Sequence, residues 1–255
     1  MIESMGRRML YFQQVLGEML ILLGRTLYFF REAPRNFQSI LVQMVIIGAD
    51  TLPVASVMGL FVGMVLALQT GIELRNYGAN NIIGAIVGLS MVRELGPVMT
   101  SFLVAGRVGS AMAAEIGVMK VYEEIDALKT LDIDPVRYLA MPRLIAALLC
   151  VPALTIYADV IGMLGGALIS HLHPKIFLSY STYYDSLKTA LNLKEIGRGL
   201  IKSFFFGGII AQVACYVGFQ TSGGARGIGQ STTRAVVLSF MLILATDYLL
   251  TRLLL

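Results

Sequence analysis

Residues 82–104 read IIGAIVGLSMVRELGPVMTSFLV, and this stretch decides the fold. As a helix it would be about 34 Å long at ~1.5 Å per residue, enough to cross a hydrocarbon core of ~30 Å. Its only charges, Arg93 and Glu94, stand side by side near its middle, followed by Gly96-Pro97. A charge at that depth costs ~2.5–3.5 kcal/mol even on lenient insertion scales. Neighbouring positions on a helix point about 100° apart, so the two cannot form an ideal pair with each other. Each needs another partner, a wet cavity or the interior of a bundle. Two readings follow: a buried ion network that locks helices together, or a polar spot lining a substrate cavity, whose wall the Gly-Pro step would loosen.

The rest of the chain agrees with a membrane. Of 255 residues 56% are hydrophobic and only 14% are charged, against about 25% in soluble domains. Mean hydropathy is +0.75. A water-soluble domain, a disordered chain and a coiled coil are excluded. The net charge of +4 suits anionic headgroups rather than nucleic acid. Cys150 and Cys215 lie in apolar runs and read as small core residues, not a disulfide framework. No cleavable signal peptide is expected, because Arg7 and Arg8 lead into a segment without a small-residue cleavage site.

Working outward gives five spans. The first is centred on residues 50–70, after a lead-in turn, with a kink expected near Pro53. The second is residues 82–104, the third about 144–170, the fourth about 199–219 after a polar, tyrosine-rich stretch (171–195). The fifth runs from Val236 to the end, after a glycine-rich loop at 221–230. Ahead of them, Met9, Phe12, Leu16, Met19, Leu23, Leu27 and Phe30 make one apolar face with Arg8, Gln14, Glu18 and Arg25 elsewhere. That pattern predicts an interfacial helix within residues 1–35, closed by Arg31, Pro34 and Arg35. The fold class is thus an all-α membrane protein, an N-terminal amphipathic helix plus five transmembrane helices, forming one domain over 1–255.

Placing the N-terminus inside puts twelve Lys and Arg on inside segments and six outside, the latter being Arg75, Lys175, Lys188, Lys194, Arg198 and Arg252. The bias predicts a cytoplasmic N-terminus and, after five spans, a C-terminus on the far side. Gly59/Gly63, Gly84/Gly88 and Gly162/Gly166 each permit close helix packing, within the fold or at a dimer seam. No internal repeat of the inverted-transporter kind is visible.

The longest polar stretch, 107–143, holds a second amphipathic pattern. Ile116, Met119, Tyr122, Ile125 and Leu128 recur every three residues, and Pro135 stops the run. It predicts one cytoplasmic helix over about 115–129, which either connects two spans or docks into a groove of a partner. Asp50, Asp159 and Asp247 are lone acids in or near spans, with packing and helix-end roles as the default. Gly197 to Ser203 only superficially resembles a phosphate loop, and no GxxxxGK[ST] occurs. His171 and His173 alone make no metal site, and no catalytic triad is visible. No cofactor, metal or catalytic residue is expected.

The runs Met91 to Val98, Ala105 to Ala111, Ala114 to Gly117, Glu123 to Leu128 with Asp134-Pro135, Ser231 to Val237 and Asp247 to Thr251 resemble the MlaE-type permeases of MCE-linked ABC transporters, in order and over nearly the whole chain. The resemblance implies a homodimeric permease of the bacterial inner membrane that moves phospholipid to or from a periplasmic MCE-domain protein, with ATP hydrolysed by a separate cytoplasmic ABC ATPase. It implies a lipid site near Tyr77, Arg93, Glu94 and Arg234. It also implies an ATPase-coupling helix comprising Glu115, Ile116, Met119, Glu123, Glu124, Ile125, Asp126 and Leu128. In one departure, Glu124 stands where many relatives carry Gln. Leu60, Val62, Met64, Leu66 and Leu68 are expected to offer an apolar face to acyl tails. Two alternative classes are an ion-coupled secondary transporter or channel using Arg93, Glu94 and Asp247, and a scaffold that only anchors other subunits.

Overall fold

The computed structural model describes residues 2–174 and 176–254, without the side chains of residues 2–12 and Leu16. Arg7, Arg8, Met9, Phe12, Leu16 and Lys175, used above, therefore lie outside the described side chains. Among the described residues the chain is helical, with no strand. The helices are α1 (Ile2–Tyr28), α2 (Phe37–Ile47), α3 (Leu52–Asn76), α4 (Ile83–Ser90), α5 (Gly96–Val104) and α6 (Ser110–Val121). They continue with α7 (Glu124–Thr130), α8 (Met141–Leu172), α9 (Tyr180–Ala190), α10 (Leu193–Phe219) and α11 (Gly224–Leu254). Among the described residues, five helical stretches are long and apolar enough to cross a membrane: Gln13–Asn76, Asn80–Val121, Val136–Leu172, Leu193–Phe219 and Gly224–Leu254.

Several expectations change in detail. The lead-in to the first span is not a turn but the helix α2. Pro53 does not kink α3; it occupies the first turn, where a missing N–H costs nothing. The glycine-rich loop is short, because Gly223 and Gly224 make the turn with φ of 90° and 66° and α11 begins at once. The tyrosine-rich stretch contains an extra helix, α9. The predicted helix over 115–129 is two, since Glu123 takes a left-handed φ of 60° and separates α6 from α7.

The chain falls into two compact units, each assembled from separate segments. One comprises Met1–Met44, Ala105–Ala147 and Gly208–Met241; the other comprises Val45–Val104, Leu148–Gly207 and Leu242–Leu255. Neither is a continuous piece that could be excised as an independent domain.

In the first unit, Ile116, Ile125, Val136, Leu139 and Cys215 form a core against which Leu22 and Phe29 pack. α1 is also fastened by polar contacts. Glu18 accepts hydrogen bonds from Gln14 (3.0 Å), the Tyr216 hydroxyl (2.9 Å) and Gln220 (3.1 Å), and Gln212 donates to the Met19 carbonyl (2.9 Å). Arg25 pairs with Asp134 at 2.8 Å, and Arg137 with Glu32 at 3.0 Å. The inward face of α1 therefore includes Glu18, Leu22 and Thr26, while Leu27, read as part of the apolar face, is exposed. An acid can face inward here because three donors meet it.

The second unit is organised by small residues. Along α3, Ala55, Gly59, Gly63, Ala67 and Gly71 are buried at every fourth position, while Val57, Phe61 and Val65 point outward. The expected tail-binding set from Leu60 to Leu68 is thus not one face: residues two apart on a helix lie about 200° apart, and Val62, Leu66 and Leu68 pack into this unit's own core. A Cβ on Gly59 would stand 2.8 Å from the Ala158 carbonyl oxygen, and one on Gly63 would overlap the Gly162 carbonyl. Gly84 and Gly166 close on the backbone and hydroxyl of Tyr183, whose oxygen donates to the Met163 carbonyl at 3.2 Å; burial raises that phenol's pKa. All three glycine pairs are spent on packing within the fold.

Gly63→Ala is expected to cost about 1–3 kcal/mol through overpacking and to lower the thermal midpoint in detergent by several degrees. Gly197→Ala, where a Cβ meets open space on α10, should leave it unchanged or slightly raised.

Candidate functional site

Arg93 and Glu94 lie in a π-helical turn, Met91–Leu95, inserted between α4 and α5. Such a turn bonds each N–H to the carbonyl five residues back, as Gly96 does to Met91. Pro97 has no N–H, which leaves the Val92 carbonyl without that donor. This carbonyl faces Gly199 of α10, where an added Cβ would overlap it. Proline and glycine together thus bring the turn against α10.

That approach gives each charge its own partner. Arg93 donates through Nε to Glu195 Oε2 at 2.5 Å, and Arg198 reaches Glu195 Oε1 at 3.2 Å. Glu94 Oε2 accepts from Lys202 Nζ at 2.6 Å. The same ammonium donates to Thr251 Oγ1 at 2.6 Å and lies 2.9 Å from Asp247 Oδ1. Lys202 is only 3% exposed; it donates hydrogen bonds to Glu94 and Thr251 and forms an ion pair with Asp247. The cluster holds three cations and three anions and is neutral overall.

Its outer members are different. Arg93 is 40% exposed and Glu94 44%. In a span, half-open charges of this kind do not face hydrocarbon; they need water or protein. Of the two sequence readings, the geometry shows the ion network directly, with Lys202 buried at its back and Arg93 and Glu94 half-open at its front.

The other residues named from the sequence are scattered. Tyr77 ends α3, is 82% exposed and makes no polar contact with Arg93 or Glu94 among the described residues. Arg234 belongs to the first unit, on α11, beside Arg226, Gln230 and Val237 in a shallow surface depression. Asp247 joins the cluster and is not a mere packing residue. Asp159 is buried against Gly96, and Asp50 is exposed in the break between α2 and α3. Glu195, Lys202 and Thr251 were missed. A signal existed for Lys202: a lone lysine in an apolar run calls for an opposite charge in another span, by the rule that singled out Arg93 and Glu94.

The coupling stretch also changes. Ile116 and Ile125 are buried in the first unit's core, with Met119 and Leu128 packed beside them. The apolar stripe that read as a docking face is used inside the chain. Glu115 pairs with Arg143 at 2.8 Å. Asp126 is held by Lys129 at 2.7 Å and Lys120 at 3.3 Å, which keep its carboxyl below the usual carboxylate range. Tyr122, Glu123 and Glu124 at the turn between the helices and Leu131 at the far end of α7 point outward, and Glu115 and Asp126, though ion-paired, remain half exposed.

Five potential spans, an all-helical chain and a charge cluster held between helices define a multi-pass membrane protein. Over 251 residues the chain is 40% identical to a probable ABC transporter permease protein of Rickettsia bellii (strain RML369-C), covering 98% of this chain and 96% of that one. It is 33% identical over 251 residues to the intermembrane phospholipid transport system permease protein MlaE of Haemophilus influenzae, covering 98% and 95%. It is 41% identical over 215 residues to the chloroplastic protein TRIGALACTOSYLDIACYLGLYCEROL 1 of Arabidopsis thaliana, covering 84% and 61%. The family described as Permease MlaE matches residues 40–253, and this chain belongs to it.

Lys202→Met is expected to lose about 3–5 kcal/mol, because Glu94 and Asp247 are left facing one another without a cation. Thermal unfolding in detergent should show most of that loss recovered in the triple variant Lys202→Met/Glu94→Gln/Asp247→Asn.

Proposed function

We propose that this chain is the membrane-embedded permease subunit of an ABC transporter that moves phospholipid between the inner membrane and a periplasmic MCE-domain protein. It works as a homodimer, and a separate cytoplasmic ABC ATPase hydrolyses the ATP. The reading rests on one observation above others: the family match and the likeness to the Haemophilus influenzae phospholipid permease extend over nearly the whole chain. The physical chemistry agrees with it. A phospholipid carries a phosphate and two apolar tails, so its path needs a cation that remains accessible inside a span. Arg93 is such a cation, held in place by Glu195 yet half open, and it can offer charge-assisted hydrogen bonds. Arg234 and Tyr77 are proposed as lipid contacts in their own right, each within its own unit.

The orientation is N-terminus cytoplasmic and C-terminus periplasmic. The twelve Lys and Arg assigned to the inside all belong to the first unit, which also carries the coupling turn. In this topology the ATPase meets Tyr122, Glu123 and Glu124, and the ion cluster lies in the second unit with the segments assigned to the periplasm.

Arg93→Ala is expected to leave the complex assembled and to reduce lipid transfer to an MCE-domain acceptor about tenfold or more. An intact variant complex that transfers lipid at the wild-type rate overturns the headgroup role. Tyr122→Ala/Glu124→Lys is expected to weaken co-purification of the ATPase and lower its lipid-stimulated turnover. Asp126→Ala, which alters only the ion triad with Lys120 of α6 and Lys129 of α7, should affect co-purification much less.

A further inference from the structure

A second polar cavity, of about 340 Å³, lies in the first unit and serves neither the ion cluster nor the coupling turn. Four groups on its lining can donate hydrogen bonds: Ser39, Gln43, Tyr138 and Arg143. No carboxylate lines it. Arg143 is the informative one, with a side chain only 8% exposed. Its Nη1 donates to the Leu139 carbonyl at 3.0 Å and its Nη2 to Glu115 at 2.8 Å. Its Nε is buried and has no acceptor among the described residues. A guanidinium N–H in that condition is costly, and what it lacks is an oxygen. The side chains of Ser39, Gln43 and Tyr138 likewise make no hydrogen bond among the described residues.

The place of the cavity narrows the ligand. Ser39 is the third residue of α2 and Arg143 the third of α8, while Met119 lies two residues from the end of α6. Met119 lies two residues from the end of the helical stretch Asn80–Val121 and Arg143 seven residues after the start of Val136–Leu172, so the cavity lies toward one end of both stretches, nearer headgroup level than the middle of a bilayer. Val42 and Pro142 supply apolar wall, and Val42 continues outward into the exposed apolar surface of Phe37 and Leu41. The volume falls within the ~300–1,000 Å³ typical of small-ligand sites.

The geometry points to a resident phospholipid, its phosphate held by Arg143, Ser39, Gln43 and Tyr138 and a tail lying along the outer face of α2, at a site separate from the one proposed for the transported lipid. The site needs only a membrane protein and a phosphate-bearing amphiphile, and stands whether or not the transport reading does.

Native mass spectrometry of the full-length protein, titrated with phosphatidylglycerol, tests it. The wild type is expected to hold one lipid per chain that Gln43→Leu/Tyr138→Phe binds about tenfold more weakly. Arg143→Lys, which keeps the charge beside Glu115 but loses the fork, should weaken it similarly. Arg93→Ala should retain this lipid, and diacylglycerol, which has no phosphate, should form no such adduct. Equal retention by wild type and the double variant overturns the site, as does loss of the adduct in Arg93→Ala alone. If inorganic phosphate alone raises the thermal midpoint as much as phosphatidylglycerol does, the ligand is a soluble phosphate and the lipid assignment falls.

Discussion

The constraint on which the second unit depends is the burial of one ammonium. Lys202 sits nine residues into α10 at 3% exposure, and an unpaired charge there would cost several kcal/mol. Glu94 and Thr251 offset that penalty by accepting its hydrogen bonds, and Asp247 adds a second opposite charge at 2.9 Å. In doing so they tie the π turn and α11 to α10. The π turn itself follows from the same requirement: a regular helix through Pro97 would not bring the Val92 carbonyl and the Glu94 side chain to Gly199 and Lys202 in the same way. Arg93 is then supported from the side by Glu195, and its remaining surface stays open. The cluster is thus buried at the back, at Lys202, and accessible at the front, at Arg93 and Glu94.

The first unit solves a different problem with the same means. An amphipathic helix that only floated on a membrane would need no specific partner. α1 instead has a carboxylate and a backbone carbonyl engaged by α10 and an ion pair from Arg25 to Asp134, and Glu32, just beyond its end, pairs with Arg137. Its Leu22 and Phe29 share a core with Ile116 and Ile125 of the coupling stretch.

The number of spans was legible because a bilayer forces every backbone polar group to be satisfied within the segment, so a long apolar run can only be a helix. The importance of Arg93 and Glu94 was legible from the cost of their position. Their partners were not: which of several charges meets Glu94 depends on helix register across α10 and α11, and hydropathy does not encode register. α9 was missed because its anchor, Tyr183, is accommodated by Gly84 and Gly166, far away in sequence. The division between α6 and α7 was invisible because Glu123 adopts a left-handed conformation without the Gly or Asn that usually announces one. The apolar stripe from Ile116 to Leu128 was read correctly as a stripe, but periodicity says only that a face is covered, not by whom.

The crossing of α3 with α8 carries one more implication. Where Gly59 and Gly63 lie on Ala158 and Gly162, main chain rests on main chain, and there are no rotamers to exchange. Such a joint has no soft coordinate: it cannot slide by repacking, only separate or stay shut. The two helices therefore behave as a single plank, and any working stroke of this unit has to bend around that fulcrum, at the π turn or the ends of the helices.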